Sequence, residues 1–218
     1  NNRIKQIQSL KTKKGRSKEK LFIIEGARCV HSYINNSNLV KEIFISKHFA
    51  TINKKMLKLC DKQNIVYTVV TDKDMKNLSD TKTPSGILGI CAFQPQQSLN
   101  FDSKRWLYLY KISDPGNLGT LLRSAAWFNI KNNALSKNSA DAFNPKVVRS
   151  STGAHTYLNI HQDIDCQIYL DHEYFIIGAD QNGSDQIETS DYNKKLVLVL
   201  GSESRGLDTS IRDKMNKL

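Results

Sequence analysis

Two pentapeptides, Tyr174-Phe-Ile-Ile-Gly178 and Leu196-Val-Leu-Val-Leu200, are apolar throughout. A strand with one wet face alternates apolar and polar residues, so runs with no polar position belong to strands buried on both faces, the condition of a helix-covered parallel sheet. Around them the second half of the chain reads as α/β. Trp106-Leu-Tyr-Leu-Tyr110 and Tyr157-Leu-Asn-Ile160 are further strands, with helices expected from about Leu118 to Phe128 and near Pro145 to Ser151. The first half repeats the theme in shorter pieces. Strands are expected at Leu21–Ile24, Glu42–Ile45, Ile65–Val70 and Gly86–Phe93, with helical patterns through Cys29, Val30 and Tyr33, around Met56 to Leu59, and from Asp72 to Leu78. The polar stretch Gln94–Ser103, which holds Pro95, separates the halves. The expected organisation is a smaller domain over 1–95, a linker over 96–103, and a larger, mostly parallel α/β domain over 104–218.

Charge divides at the same place. Residues 1–98 carry 18 Lys and Arg against 7 Asp and Glu, whereas residues 99–218 carry 14 of each, so the net +11 belongs wholly to the first part. Eight of those cations lie in Asn1–Lys20. Such an arrangement suits a polyanion-binding part joined to a part with another task, the plainer alternative being a solvated tail. No apolar run approaches a membrane span, and the Lys-rich start lacks the apolar core of a signal peptide. Cys29, Cys60, Cys91 and Cys166 form no CxxC pair, which suits a reducing cytoplasm. The five histidines form no HxxxH or HExxH pair, so no metal site is expected.

Three segments carry the chemistry. The strand ending at Tyr110 runs into Asp114-Pro-Gly-Asn-Leu-Gly119 and a helix holding Arg123. Asn117 is expected to cap that helix, Gly119 to leave backbone open, and Arg123 to suit a phosphate. The strand ending at Leu200 runs into Gly201-Ser-Glu-Ser-Arg-Gly206, a loop able to hold an adenosine; Glu203 and Arg205 alternatively make a local ion pair. Asn144-Pro-Lys-Val-Val-Arg149 opens a helix with its own capping signals, ended at Gly153. Neither a P-loop nor a GxGxxG nor a GxSxG elbow is present.

In this order, Asp114-Pro-Gly-Asn-Leu-Gly-Thr-Leu-Leu-Arg123, Asn144-Pro-Lys-Val-Val-Arg149 and Leu198-Val-Leu-Gly-Ser-Glu-Ser-Arg-Gly206 resemble the SpoU (TrmH-type) RNA 2'-O-ribose methyltransferases of the SPOUT superfamily. Phe22-Ile-Ile-Glu-Gly-Ala-Arg28 and Thr83-Pro-Ser-Gly-Ile87 resemble that family's N-terminal RNA-binding domain, related to a ribosomal-protein fold. The resemblance implies a trefoil-knotted SPOUT domain, a homodimer, S-adenosyl-L-methionine as cofactor, and methyl transfer to a ribose 2'-hydroxyl, with ribosomal RNA favoured over transfer RNA. It implies catalytic roles for Asn117 and Arg123 and cofactor binding by Leu200, Gly201, Glu203 and Gly206. RNA binding is expected at Lys13, Lys14, Arg16, Lys18, Arg28 and Arg149. The family continues into a third, knot-completing motif that lies outside this sequence, which ends at Ile211-Arg-Asp-Lys-Met-Asn-Lys-Leu218. A non-catalytic RNA-binding or assembly protein on the same scaffold is the contrasting reading, and an antibiotic-resistance methyltransferase a variant of the first.

Overall fold

The computed structural model describes residues 2–95, 97–181, 183 and 193–218. In order they form α1 (Asn2–Ser9), α2 (Lys13–Glu19), β1 (Leu21–Glu25), α3 (Ala27–Asn36), β2 (Val40–Ser46), α4 (Lys47–Ile52), α5 (Lys54–Lys62), β3 (Tyr67–Val70), α6 (Asp72–Leu78) and β4 (Ile87–Ala92). There follow β5 (Arg105–Leu109), α7 (Pro115–Trp127), β6 (Asn132–Leu135), α8 (Pro145–Ser151), β7 (Asn159–His161), α9 (Gln167–Asp171), β8 (Phe175–Ala179), β9 (Leu196–Leu200) and α10 (Thr209–Arg212). Two compact units result: Asn1–Gln96 with Phe143–Thr156, and Gln97–Ala142 with Tyr157–Leu218.

The first unit is built on a four-stranded sheet of order β1-β4-β2-β3, in which β4 is antiparallel to β1 and β2, and β3 is parallel to β2. Strands β1, β2 and β4 bury side chains on both faces, whereas Thr68 and Val69 of β3 are exposed. Phe22, Ile24, Ile43, Ile45, Ile87 and Cys91 join one core with Val30, Met56 and Val148, while Ile23, Phe44, Leu88 and Ile90 join a second with Ile7, Leu10, Met75 and Leu78. That alternation follows from the two-residue period of a strand. Each fully buried aliphatic side chain contributes about 1.5–3 kcal/mol relative to exposure.

Helix α8 packs in this first unit although it begins 53 residues beyond the end of β4 in sequence. Val148 enters the core, and Arg149 sits 3.5 Å from Glu25, a carboxylate at the end of β1 that also accepts Ser79 Oγ (2.6 Å) and Thr81 Oγ1 (3.2 Å). With residues 143–156 counted here, the first unit holds 20 basic and 7 acidic residues and the second 12 and 14. The charge separation is therefore sharper than a single cut at residue 98 shows.

The basic N-terminus is not a solvated tail. It folds into α1 and α2, which bury Ile7 and Leu10. Thr12 caps α2 by accepting from Gly15 N at 3.0 Å. Gly15 has no spare room: a Cβ there would stand 1.9 Å from the Ser9 carbonyl oxygen. The buried Arg16 guanidinium donates to the Leu10 carbonyl at 2.8 Å.

The second unit carries a five-stranded, wholly parallel sheet of order β7-β6-β5-β9-β8. Trp106 and Tyr108 on β5, Ile176 on β8, and Val197 and Val199 on β9 form one core with Tyr169, Tyr174 and Ile211. Residues 97–103 belong to this unit, since the Tyr174 hydroxyl donates to the carbonyls of Phe101 (3.0 Å) and Ser103 (2.6 Å).

Replacing Gly15 by Ala should lower the unfolding free energy by about 1–3 kcal/mol, because the new methyl meets backbone rather than a yielding side chain. Thermal melts of Gly15→Ala beside the exposed control Lys14→Ala test this; equal melting temperatures for the two would contradict the docking of α2 on α1.

Candidate active site

Sheet order places the site. From β5 the chain proceeds outward through β6 to β7, then crosses to fill the opposite side with β8 and β9. The order reverses between β5 and β9, and ligands of open parallel sheets bind beyond the carboxyl ends of strands at such a reversal. Both glycine-containing segments singled out from sequence leave from those two ends. Register is exact over the pairs Arg105 with Leu196 through Leu109 with Leu200, and Tyr110 N continues it with a 2.8 Å bond to the Leu200 carbonyl.

After β5 the chain enters α7 three residues earlier than expected. Pro115 takes the first helical position, where its fixed φ and missing N–H suit the helix start, and Asp114 rather than Asn117 is the cap, its carboxylate accepting from Asn117 N at 2.9 Å. With the capping task done by Asp114, the Asn117 side chain is released to reach across the reversal. Its Nδ2 donates to Glu203 Oε1 at 2.6 Å. Glu203 is thus held by Asn117, and among the described residues it makes no ion pair with Arg205. Gly119 is buried on the inner side of α7 with Leu118, Leu122 and Ala125, so it serves packing rather than an open backbone. Arg123 stands on the exposed side with Thr120 and Trp127.

After β9 the loop folds back on itself. Gly206 N donates to the Ser202 carbonyl at 2.8 Å, and a Cβ on Gly201 would lie 2.4 Å from the Gly206 carbonyl group. Gly206 has φ +59°, a left-handed conformation that glycine adopts without strain. Leu200, Gly201, Glu203 and Gly206 are consequently gathered in one tight loop at the sheet's carboxyl edge, with Glu203 and Gly206 exposed.

A second cross-link joins the same two exits and has no sign of its own in the sequence. Lys111, at the end of β5, adopts φ 52°, which costs a non-glycine residue about 1–2 kcal/mol. It is held there by Lys111 N donating to Ser136 Oγ (2.8 Å) and by its ammonium on Asp208 Oδ2 (2.7 Å). Asp208 follows the β9 loop directly and also accepts from the Tyr110 hydroxyl (2.7 Å) and Ser210 Oγ (2.7 Å). These bonds, that of Lys111 first, hold the Asp208 carboxyl well below the usual carboxylate range, and Asp208 in turn raises Lys111. Adjacency to the two motifs was the only available sign.

The residues expected to bind RNA separate into two groups. Lys13, Lys14, Lys18 and Arg28 are exposed. Arg16 is buried against Leu10, and Arg149 is half-buried on Glu25, so both serve the fold of the first unit. Among the described residues no group of three potential metal ligands occurs, and no helix is long and apolar enough to cross a membrane.

Residues 104–218 match the SpoU rRNA Methylase family, and residues 1–89 match an MRM3-like substrate binding domain. The chain belongs to the SpoU rRNA methylase family. It is 28% identical, over 98% of its length and 84% of the relative's, to the 23S rRNA (guanosine(2553)-2'-O)-methyltransferase RlmP of Bacillus subtilis. To the human mitochondrial rRNA methyltransferase 3 it is 30% identical over 80% of its own length, and it spans only 43% of that protein. Two solved structures share its fold at TM-score 0.80. They are an AdoMet-bound rRNA methyltransferase from Sinorhizobium meliloti (21% identical, covering all of this chain and 84% of that one) and the SpoU methyltransferase AviRb from Streptomyces viridochromogenes (18%, all of this chain and 87% of that one). The parallel-sheet fold of the second unit is shared with these two methyltransferase structures.

Asp208→Asn should lower stability at neutral pH through loss of the charge on Lys111 and Tyr110. The native carboxyl pKa lies below the unfolded value of about 4, so its contribution is present above that pH and is lost as pH falls through the native value. Urea midpoints of both proteins should therefore differ at pH 7 and converge below about pH 4. A difference that stayed constant with pH would contradict the ion pair.

Proposed function

We propose that this chain transfers a methyl group from S-adenosylmethionine to a ribose 2'-hydroxyl of ribosomal RNA, acting as a homodimer in the cytoplasm. The observation that carries the reading is the Asn117–Glu203 bond. It joins the two family motifs at the topological reversal of the sheet in a chain whose relatives are named as rRNA methyltransferases.

The loop after β9 fits the cofactor. Gly201 lets the loop close, the exposed Gly206 leaves backbone uncovered by a side chain, and the Glu203 carboxylate provides negative charge for a cationic ligand. Leu200, Gly201, Glu203 and Gly206 are the residues that would hold it. When bound, S-adenosylmethionine supplies a methyl group activated by its sulfonium.

A 2'-hydroxyl is a poor nucleophile at neutral pH and must lose its proton as the methyl is transferred. Arg123, exposed on α7, is placed to bind the phosphate next to the target ribose and to favour that loss through the phosphate. A guanidinium is too weak a base to take the proton freely. Asn117 orients the reacting group, its own amide fixed by Glu203. Positioning of two substrates supplies much of the acceleration. The basic first unit holds the RNA through Lys13, Lys14, Lys18 and Arg28, while the nearly neutral second unit does the chemistry. Trp127 and Phe128, 86% and 73% exposed at the end of α7, offer an apolar surface to a second copy.

Labelled methyl transfer to total RNA from cells lacking the gene tests the reading. Label should appear in ribosomal RNA at a ribose, and Arg123→Ala should reduce the rate about 10²-fold or more at unchanged cofactor affinity. Label in transfer RNA alone would overturn the substrate, and near-native transfer by Arg123→Ala would overturn the role of that arginine.

A further inference from the structure

A cleft of about 260 Å³ opens in the second unit at the carboxyl ends of β5 and β6. Its floor is Tyr108, Tyr110, Ile164 and Ile211; its rim carries Lys111, Lys137 and Lys214 with one carboxylate, Asp165. None of residues 200–206 lines it, so it is separate from the cofactor loop. The rim's charge is not balanced. Lys111 is neutralised by Asp208 at 2.7 Å and Lys214 by Asp165 at 3.2 Å, whereas the ammonium of Lys137 makes no hydrogen bond or ion pair among the described residues. Beside it the exposed Asn138, at φ 67°, turns the chain so that both side chains stand at the mouth. Burial pushes the Cys166 thiol on the floor up to about 12, so the interior remains uncharged there.

We infer that this cleft seats one unpaired nucleotide of the RNA substrate, its base on the Tyr108, Tyr110, Ile164 and Ile211 floor and its phosphate on Lys137. The inference rests on the RNA-methyltransferase reading for the source of the nucleotide, and on the cleft alone for its chemistry. An apolar, partly aromatic floor favours a planar ring, and a single surplus cation favours one phosphate. The volume falls just below the roughly 300 Å³ at which pockets for whole drug-sized ligands begin, which suits one base with part of its sugar and not a dinucleotide. S-adenosylmethionine is a poor candidate, because its sulfonium would meet a surplus cation, Lys137, and not a surplus carboxylate. Single-stranded residues splayed onto protein surfaces are the usual means by which RNA sequence is read, so this cleft would select the target's neighbourhood rather than perform the reaction.

Binding of uridine 5'-monophosphate, uridine, inorganic phosphate and a uridine trinucleotide to the full chain, followed by calorimetry and by NMR shifts, tests the inference. Pyrimidine ligands avoid any preference of the cofactor loop for adenine. The monophosphate should bind more tightly than uridine or phosphate, the trinucleotide should compete with it, and Lys137→Ala should weaken both about tenfold with an unchanged melting temperature. Absence of monophosphate binding, equal binding by Lys137→Ala, or phosphate binding as well as the nucleotide would overturn it. Binding of the monophosphate without the trinucleotide would overturn RNA as the source. Because the readout is binding, a chain that passes here yet methylates no RNA would fail the proposed function and leave the cleft standing.

Discussion

Parallel pairing of β5 with β9 is the constraint on which the rest of the second unit depends. Five residue pairs in exact register, extended by Tyr110, bring the ends of two strands distant in sequence to one edge. Everything with chemical content then follows from what leaves those ends. One exit is a proline-started helix whose cap frees an asparagine, and the other is a glycine-closed loop that presents a glutamate to it. Tyr110, Lys111 and Asp208 tie the same two exits together a second time. Two cross-links hold the loops to one another, and preorganisation of that kind favours reaction between two bound substrates.

The units divide the physical work. The first concentrates cations and buries the Glu25 carboxylate against Ser79, Thr81 and Arg149. In the second, basic and acidic residues nearly balance in number, and at the cleft Lys111 and Lys214 are paired while Lys137 makes no ion pair among the described residues. Long-range attraction of a polyanion therefore favours the first unit over the second.

Much of this was legible in the sequence because the signals were local. Leu196–Leu200 declared itself a central strand by having no polar position, and α8 announced both ends through Asn144, Pro145 and Gly153. The differences arise where a side chain finds a partner, near or far along the chain, that no local pattern marks. Strand β6 reads Asn132-Asn-Ala-Leu135, unlike a buried strand, yet it is buried because Asn132 bonds Ser103 and Asn159, and Asn133 bonds the carbonyls of Ile130 and Lys131. Arg16 looked like an RNA ligand by charge, but Gly15 lets α2 close on α1 and turns that arginine to the Leu10 carbonyl. Asn117 reads as a cap in the sequence, but the cap is Asp114, and the asparagine's partner lies 86 residues away.

A double-mutant cycle on methyl transfer with Asn117→Ala, Glu203→Ala and the pair tests most directly whether the two exits act as one site. The account predicts strong coupling, the double variant being little slower than either single one, because each substitution already breaks the bond that joins the loops. Independent losses that multiply in the double variant would contradict it.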